Sequence, residues 1–595
     1  MALASNIRIE IEGEEVKDFL NLTINQSIYN HHEFEVVCRM DAFEDKDSFV
    51  MEKSKKLIGS VINITIEAKL KGKSQVLDHM FKGLITTIRT TKSHIGESDH
   101  VILSGYSPDI LMNDNPGSCS FENKTLKQIA DDILKPYPKD ILKSRTDPAK
   151  NDRLSYTVQY NESRYDFMRR LATRYGEWFF YDGAQLLFGK LPDNKTNLRL
   201  GQDLTNFNFS IRMNPLKFRY VAYDCSSAEP VEAVSSRSGG KDNLNKYGGF
   251  AHDMSMKEYG QQSTLYYNNL NVPDNNYKNE LNHVVGLEEG ASALNMSVME
   301  GSSQNPQLKL GSKVNIKALK AGQDGEVDYG EYIITSLRHT CDNTMNYQNT
   351  FEGLPAEAKI PDYTNPHAIP HCETQSAVVK DNNDPDKLGR VRVNFFWQEN
   401  NMMSPWLRIA NMYSGSERGI YFVPEVGDEV LVGFEGGNAE KPFLIGSLYH
   451  GKNKPGASWP DKDNSFKGIM TNSKLKIEFD DKKKVITIET PGGNKAIFSD
   501  DGKSIVLHDQ NQNKVEMNTN GITMESMKDI NIKSKSKIII EGTSGVDISS
   551  SGDAKVTGLN INLNANVGLT AKGNATAELS AGGQTTVKGA MVMIN

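Results

Sequence analysis

The sequence predicts an all-β protein with a few helices, ending in a rod that several copies of the chain build together. Three observations carry this reading. Residues 1 to about 365 are mostly short segments of alternating hydrophobicity separated by polar turns. Residues 372–455 hold five or six short strand signals in succession. From Ile522 onward the apolar residues come as apolar-x-apolar pairs, one pair every eight residues.

The totals bound the answer. At 595 residues the chain is too long for one core, so three or four folding units are expected. A formal net charge of -8 with no long single-sign block excludes a nucleic-acid binder, which needs a concentrated Lys/Arg surface. The cysteines Cys38, Cys119, Cys225, Cys341 and Cys372 are scattered, without CxxC spacing, and read as thiols of a reducing compartment. The start, MALASNIRIEIEGEEV, lacks the basic and apolar regions of a secretory signal. No apolar stretch approaches the ~20 residues that span a bilayer. The expected location is cytoplasmic until assembly, with secretion or injection following without a signal peptide.

The elements follow in chain order. VINITIEAKL (61–70) and HVILSGYS (100–107) alternate as half-buried strands do. Two helices interrupt the strands. In KTLKQIADDIL, Thr125 and Gln128 form a capping-box pair ahead of an apolar face of Leu126, Ile129, Ile133 and Leu134. In SRYDFMRRLATRYG, Ser163 and Asp166 start the helix, Phe167, Leu171 and Tyr175 share one side, and Gly176 stops it. EWFFYDGAQLLFG then reads as a hairpin turning at Asp182-Gly183. A Pro-rich stretch near 355–370 suits a linker. Residues 372–455, with SAVVKD, GRVRVNFFW, PWLRIAN, GIYFVP, DEVLVGFEGG and KPFLIGSLYHG, predict a small closed barrel, the OB fold being the commonest of that size. Residues 456–474 are a neck or linker, and 475–595 the rod.

After Pro491 there is no further Pro, Trp, Tyr or Cys, and no aromatic residue beyond Phe498. The pairs Ile486/Ile488, Ala496/Phe498, Ile505/Leu507 and Val515/Met517 are irregularly spaced. From Ile522/Met524 the period is eight, through Ile530/Ile532, Ile538/Ile540, Val546/Ile548 and Ala554/Val556. It slips by one residue beside Gly558 and resumes at Ile561/Leu563, Leu569/Ala571, Ala577/Leu579 and Thr585/Val587. An apolar-x-apolar pair is a short strand with two side chains on one face, which cannot bury that face alone. A single-chain solenoid of three octads per rung would close it, as would three chains wound round one axis. Small and medium inward residues and the lack of a large polar cap favour the trimer, a triple-stranded β-helix needle. Its core residues are then Ile530, Ile532, Ile538, Ile540, Val546, Ile548, Ala554, Val556, Ile561 and Leu563.

Candidates for chemistry were weighed against plainer roles. His31 and His32 are neighbours on extended chain and point to opposite faces. His367, His371 and Cys372 in HAIPHC have a metal-like look, but no second ligand cluster accompanies them and a linker outweighs zinc. KGKS (71–74) lacks the upstream glycine of a phosphate loop, and GFEGGNAEKP (433–442) reads as a hairpin turn. There is no GxSxG and no HExxH. The expectation is no catalytic residue, no cofactor and no metal ligand.

The block 389–455 resembles the OB core of the VgrG family, spike proteins of the type VI secretion system. The matching residues are Gly389-Arg390-Val391, Trp397, Trp406 with Arg408, Pro424, Gly427-Asp428-Glu429-Val430, Gly436, Pro442 and Gly446-Ser447. VQYNESRYDFMRRLATRYGEWFFYD (158–182) resembles the family's hub signature in Gln159-Tyr160-Asn161-Glu162-Ser163, Asp166-Phe167, Arg170-Leu171 and Trp178. The resemblance implies that residues 1–365 form two barrel-like hub domains, with the OB fold as neck and the octads as needle. It implies as partners two further copies in a homotrimer, the Hcp tube hexamer at the hub end, and baseplate proteins. It also implies a PAAR-repeat protein on the blunt tip formed by Ala590, Met591, Val592, Met593, Ile594 and Asn595. Two departures stand out: no lysozyme domain separates OB block and needle, and no effector domain follows Asn595, so effectors are expected as separate partners. The loop SGSERG (414–419) also departs from the family's pattern, which keeps the spike of an extracellular injection particle in view. The target membrane would be met mechanically. The rival from another class is a trimeric polysaccharide depolymerase on a β-helical shaft, for which clustered acids and aromatic subsites would be needed.

Overall fold

In the computed structural model, which describes residues 4–43, 52, 54–69, 76–92, 99–272, 276–320, 325–399 and 402–594, the alternating segments pair into one thirteen-stranded sheet. Its first half carries Ala4–Ile11, Val61–Lys69, Val76–Thr91, His100–Tyr106, Glu33–Arg39 and Phe19–Ser27 in antiparallel succession. The long strand Glu326–Asp342 joins the halves: its end pairs with Phe19–Ser27 and its start with Lys313–Leu319. Beyond it lie Tyr347–Pro355, Ser297–Ser303 and Leu204–Ile211. Alternation puts every second residue inside, so each half has its own apolar core, one around Ile24, Phe34, Ile64 and Phe81, the other around Trp178, Leu308, Ile334 and Phe351. Among the described residues no ladder joins the two ends of this sheet. The described residues of this region thus carry one continuous, mostly antiparallel sheet.

A third core sits under helices α1 (Leu126–Leu134) and α2 (Arg164–Tyr175), against strands such as Phe179–Tyr181 and Leu186–Gly189. The caps are those the sequence predicts. The Thr125 hydroxyl accepts from the Gln128 N–H while the Gln128 side chain accepts from the Thr125 N–H. Ser163 accepts from the Asp166 N–H, and Gly176 ends α2 at φ 70°. Two further helices, α3 (Lys246–Glu258) and α4 (Tyr277–Leu294), correct the expectation of two. Their sequences carry internal glycines and weak amphipathic stripes, so tertiary packing rather than propensity holds them. Gly290 shows this, because a Cβ there would meet Ile360 at 2.8 Å.

The OB block is a four-stranded sheet ordered Arg392–Phe395, Gln375–Asp381, Glu429–Phe434, Pro442–Ser447. Single bridges run from Leu407 to Val391 and from Ile409 to Leu444, so one segment reaches both edges. PWLRIAN thus contributes bridges rather than a strand, and GIYFVP forms none beyond a two-residue pairing of Arg418–Gly419 with Ser414–Gly415. Arg390 grips Asp384 at 2.7 Å and holds its carboxyl well below the usual range, fixing the loop before Val391.

Residues Met1–Lys454 form one compact unit and Pro455–Asn595 a second. The second begins as an antiparallel meander of seven five-residue strands, from Phe466–Met470 to Gly521–Glu525. The expected boundary at 474/475 falls in the turn of its first hairpin, since Phe466–Met470 pairs with Lys476–Asp480. Up to Glu525 the chain reverses at each step instead of winding forward. The reason is local: each turn holds one residue in the left-handed region, Lys474, Lys484, Gly493, Lys503, Gln512 and Gly521.

Candidate functional site

Among the described residues, functional groups come together on the one-sided surface of the second unit and in a buried polar junction of the first. In the meander, register stacks the sequence's apolar pairs into two columns. One runs Ile469, Ile477, Ile488, Ala496, Leu507, Val515, Met524, and the other Phe479, Ile486, Phe498, Ile505, Met517, Ile522. Adjacent members are direct cross-strand partners, and since alternate residues face oppositely, all lie on one face. The opposite face carries charges, with Lys476 at 3.1 Å and Lys495 at 2.8 Å from Glu489. Hydrogen bonds from Lys495 and Lys476 hold the Glu489 carboxyl below its ordinary value. The sheet is one layer thick, and its apolar columns remain solvent-exposed in a single chain.

From Ser526 to Ile594 the described chain has bends but no strand and no ladder. Ser526 and Met527 still bond to Asn513, and beyond them the hydrogen bonds are local, such as the Ser536 N–H to the Ser534 hydroxyl. All ten expected core residues are exposed here, Ile540 at 69% and Ile548 at 83%. The tip residues Ala590, Met591, Val592, Met593 and Ile594 are exposed as well, while Asn595 lies outside the described residues. A backbone without a ladder and apolar pairs without cover are costly in water, and both costs disappear when other strands are laid alongside.

The junction sits between α2 and the OB hairpin. Glu440, in the turn before Pro442, is buried with Arg174, and the guanidinium donates to its carboxylate. That carboxylate also accepts from the Val158 N–H at 3.2 Å and from the Asn271 amide at 3.2 Å. Arg170 stands 3.8 Å away while gripping Glu162 and the Val158 carbonyl. Asn438 donates to Asn269 at 3.0 Å, and Gln398 donates to Ser120 at 2.8 Å. The two segments that carry the family resemblance thus meet in space. Sequence reading picked out Arg170 and missed Glu440, which looked like one more polar turn residue.

The remaining sequence candidates are dispersed. His31 pairs with Asp109 at 2.8 Å, and His32 turns the other way into the core. His367 meets the Tyr220 hydroxyl at 2.7 Å, and His371 forms a bridge with Asn438. KGKS (71–74) lies outside the described residues. Among the described residues, no group of three or more His, Cys, Asp or Glu is placed to hold a metal ion, and no helix is long and apolar enough to cross a membrane.

Residues 27–345 match the phage tail baseplate hub (GPD) family, and residues 375–449 match the type VI secretion system/phage-baseplate injector OB domain. A type VI secretion system spike protein of Pseudomonas aeruginosa, VgrG5, is 38% identical over 104 residues, 16% of this chain and 13% of that protein. The actin cross-linking toxin VgrG1 of Vibrio cholerae is 22% identical over 390 residues, 60% of this chain and 32% of that one. The chain thus spans a third or less of the length of these relatives. Among solved structures, the half-lidded Francisella PdpA-VgrG complex aligns with a TM-score of 0.53 at 10% identity, covering 88% of each chain. The lidless PdpA-VgrG complex gives 0.52 at 11% identity, covering 88% of this chain and 98% of that one.

Proposed function

The chain belongs to the phage tail baseplate hub family, with an injector OB domain following the hub, and on that premise we propose that it is the homotrimeric spike of a contractile injection apparatus of the type VI secretion class. The observation that carries the proposal is the second unit: two unbroken apolar columns on a one-layer sheet, continued by octads whose chain has no ladder of its own. Three copies close both. Three sheets laid apolar face inward make a dry three-sided core, and three octad chains supply each other's missing strands. With strands ~4.8 Å apart, the octads extend such a rod by tens of ångströms. A closed β-rod has no free edge to pair wrongly, and its stiffness transmits an axial push to a membrane.

In this reading the hub seats on the Hcp tube hexamer within the baseplate, and Ala590 to Ile594 offer an apolar platform to a PAAR-repeat tip protein. Effectors travel as separate proteins held non-covalently. The chain acts mechanically rather than as an enzyme, and leaves the cell by injection. Co-purification tests this. The full-length chain should pull down a hexameric ring-forming tube protein and release no reducing sugar from capsular polysaccharide. Sugar release without ring capture would overturn the reading in favour of a depolymerase on a β-shaft.

A further inference from the structure

Three imidazoles, His32, His79 and His339, lie wholly buried where the three cores of the hub meet. His32 stacks on Phe81 of the first core, with ring centroids 6.3 Å apart, and meets Tyr181 of the third edge-on at 5.8 Å. His79 lies against His339, their centroids 4.3 Å apart, beside the carbonyls of Pro306 and Leu308, the latter a residue of the second core. Gln26, itself buried, ties the group together. Its amide nitrogen is 3.2 Å from Nδ1 of His32, and its amide oxygen is 3.0 Å from Nε2 of His339.

This wiring fixes the protons. The Gln26 N–H donates to His32, so Nδ1 of His32 is bare; Nε2 of His339 donates to Gln26. Nδ1 of His339 then accepts from the Tyr347 hydroxyl at 2.8 Å, and that oxygen accepts from the Asn349 amide. Around Gln26 and Tyr347 the hydrogen bonds are satisfied with neutral rings, while Nε2 of His32 makes none. An added proton on His32 or His339 displaces a donor already in place. Neither nitrogen of His79 makes a hydrogen bond, and burial outweighs the carbonyls of Leu308 and Pro306, which would favour a charge there.

We propose that this cluster is an acid-sensitive joint: the hub holds its three cores together while the imidazoles are neutral, and releases them cooperatively when they take up protons. The surrounding charges do not offset that. Asp109 and Asp182 favour a cation on His32, but Asp109 is already paired with His31; Lys309 and His32 oppose one on His79, and His79 and His32 oppose one on His339. Burial, the dominant cause, lowers His32 to about 4 and His79 to about 3, and pushes His339 well below its ordinary value. The unfolded chain would bind protons at about pH 6.5. The stability these groups confer is therefore fully present above pH 6.5 and falls as pH drops toward 4. The carboxylates of Asp342 and Asp384 weaken the fold only at lower pH, since their hydrogen-bonded states lie below 3.8.

The test follows hydrogen exchange in peptides covering 76–91 and 326–342 of the full-length protein, corrected for intrinsic rate, from pH 7.5 to 4. The wild type should lose protection in both together between pH 6.5 and 4, with a slope of about two to three protons. His79→Phe, which fills the space without titrating, and His339→Gln should each flatten that slope by about one proton and move the midpoint lower. Protection lost with a slope below one proton in the wild type would overturn the proposal, whether or not the variants fold. Unchanged slopes in folded variants would overturn it as well.

Discussion

Glu440→Ala is expected to destabilise the first unit by about 3–5 kcal/mol, because it leaves the buried Arg174 guanidinium without its counter-charge. It also strips the Val158 N–H and the Asn271 amide of their acceptor. Urea unfolding reads this as a lower midpoint at nearly unchanged slope, and proteolysis should then separate the OB domain from the hub. The double change Arg174→Met with Glu440→Leu removes both charges and should recover much of the loss, since an apolar pair of similar volume replaces an ion pair with little penalty. A single mutant as stable as the wild type would mean that the junction is solvated and that the two family segments meet without holding the domains together.

Ile540→Lys is expected to abolish the needle. If Ile540 faces the axis, three ammonium groups meet in an apolar channel, at several kcal/mol for each. The trimer should fall apart or lose its protease-resistant C-terminal fragment, whereas Ser536→Lys, in a bend between pairs, should leave both unchanged. Equal melting temperatures and equal masses for the two variants would show that the faces are assigned wrongly.

Much of this was legible because local chemistry and tertiary structure agree. Thr125/Gln128 and Ser163/Gly176 mark helix ends by hydrogen bonds made within four residues, so no distant contact is needed to read them. Helices α3 and α4 are hidden because internal glycines weaken their helical signal, two of them, Gly248 and Gly290, standing where a Cβ would crowd Leu244 and Ile360. In the meander the apolar pairs were read correctly as one-faced, but not the reversals. Ile477, Ile486, Ala496, Ile505 and Val515 are nine or ten residues apart, one or two more than an octad. Those extra residues are the ones that take up the left-handed turns, such as Lys484 and Lys503. Glu440 gave no sign, because a lone carboxylate in a Gly/Asn turn reads as solvated. Arg174 did give one: three residues after Leu171 and seven after Phe167, it sits on the apolar face of α2, where a charge demands a partner. His31 and His32 read alike in the sequence, because the burial of His32 depends on strands more than forty residues distant.

On this reading the second unit completes itself only with two other copies. Light scattering on the full-length protein across a dilution series, with hydrogen exchange followed over 466–594, tests it most directly. The mass should be that of three chains at every concentration at which the protein is folded, with the octad segment strongly protected, and that protection should be lost together with the trimer. A monomer in which residues 526–594 are equally protected would contradict it, and would mean that the octads close upon themselves within one chain.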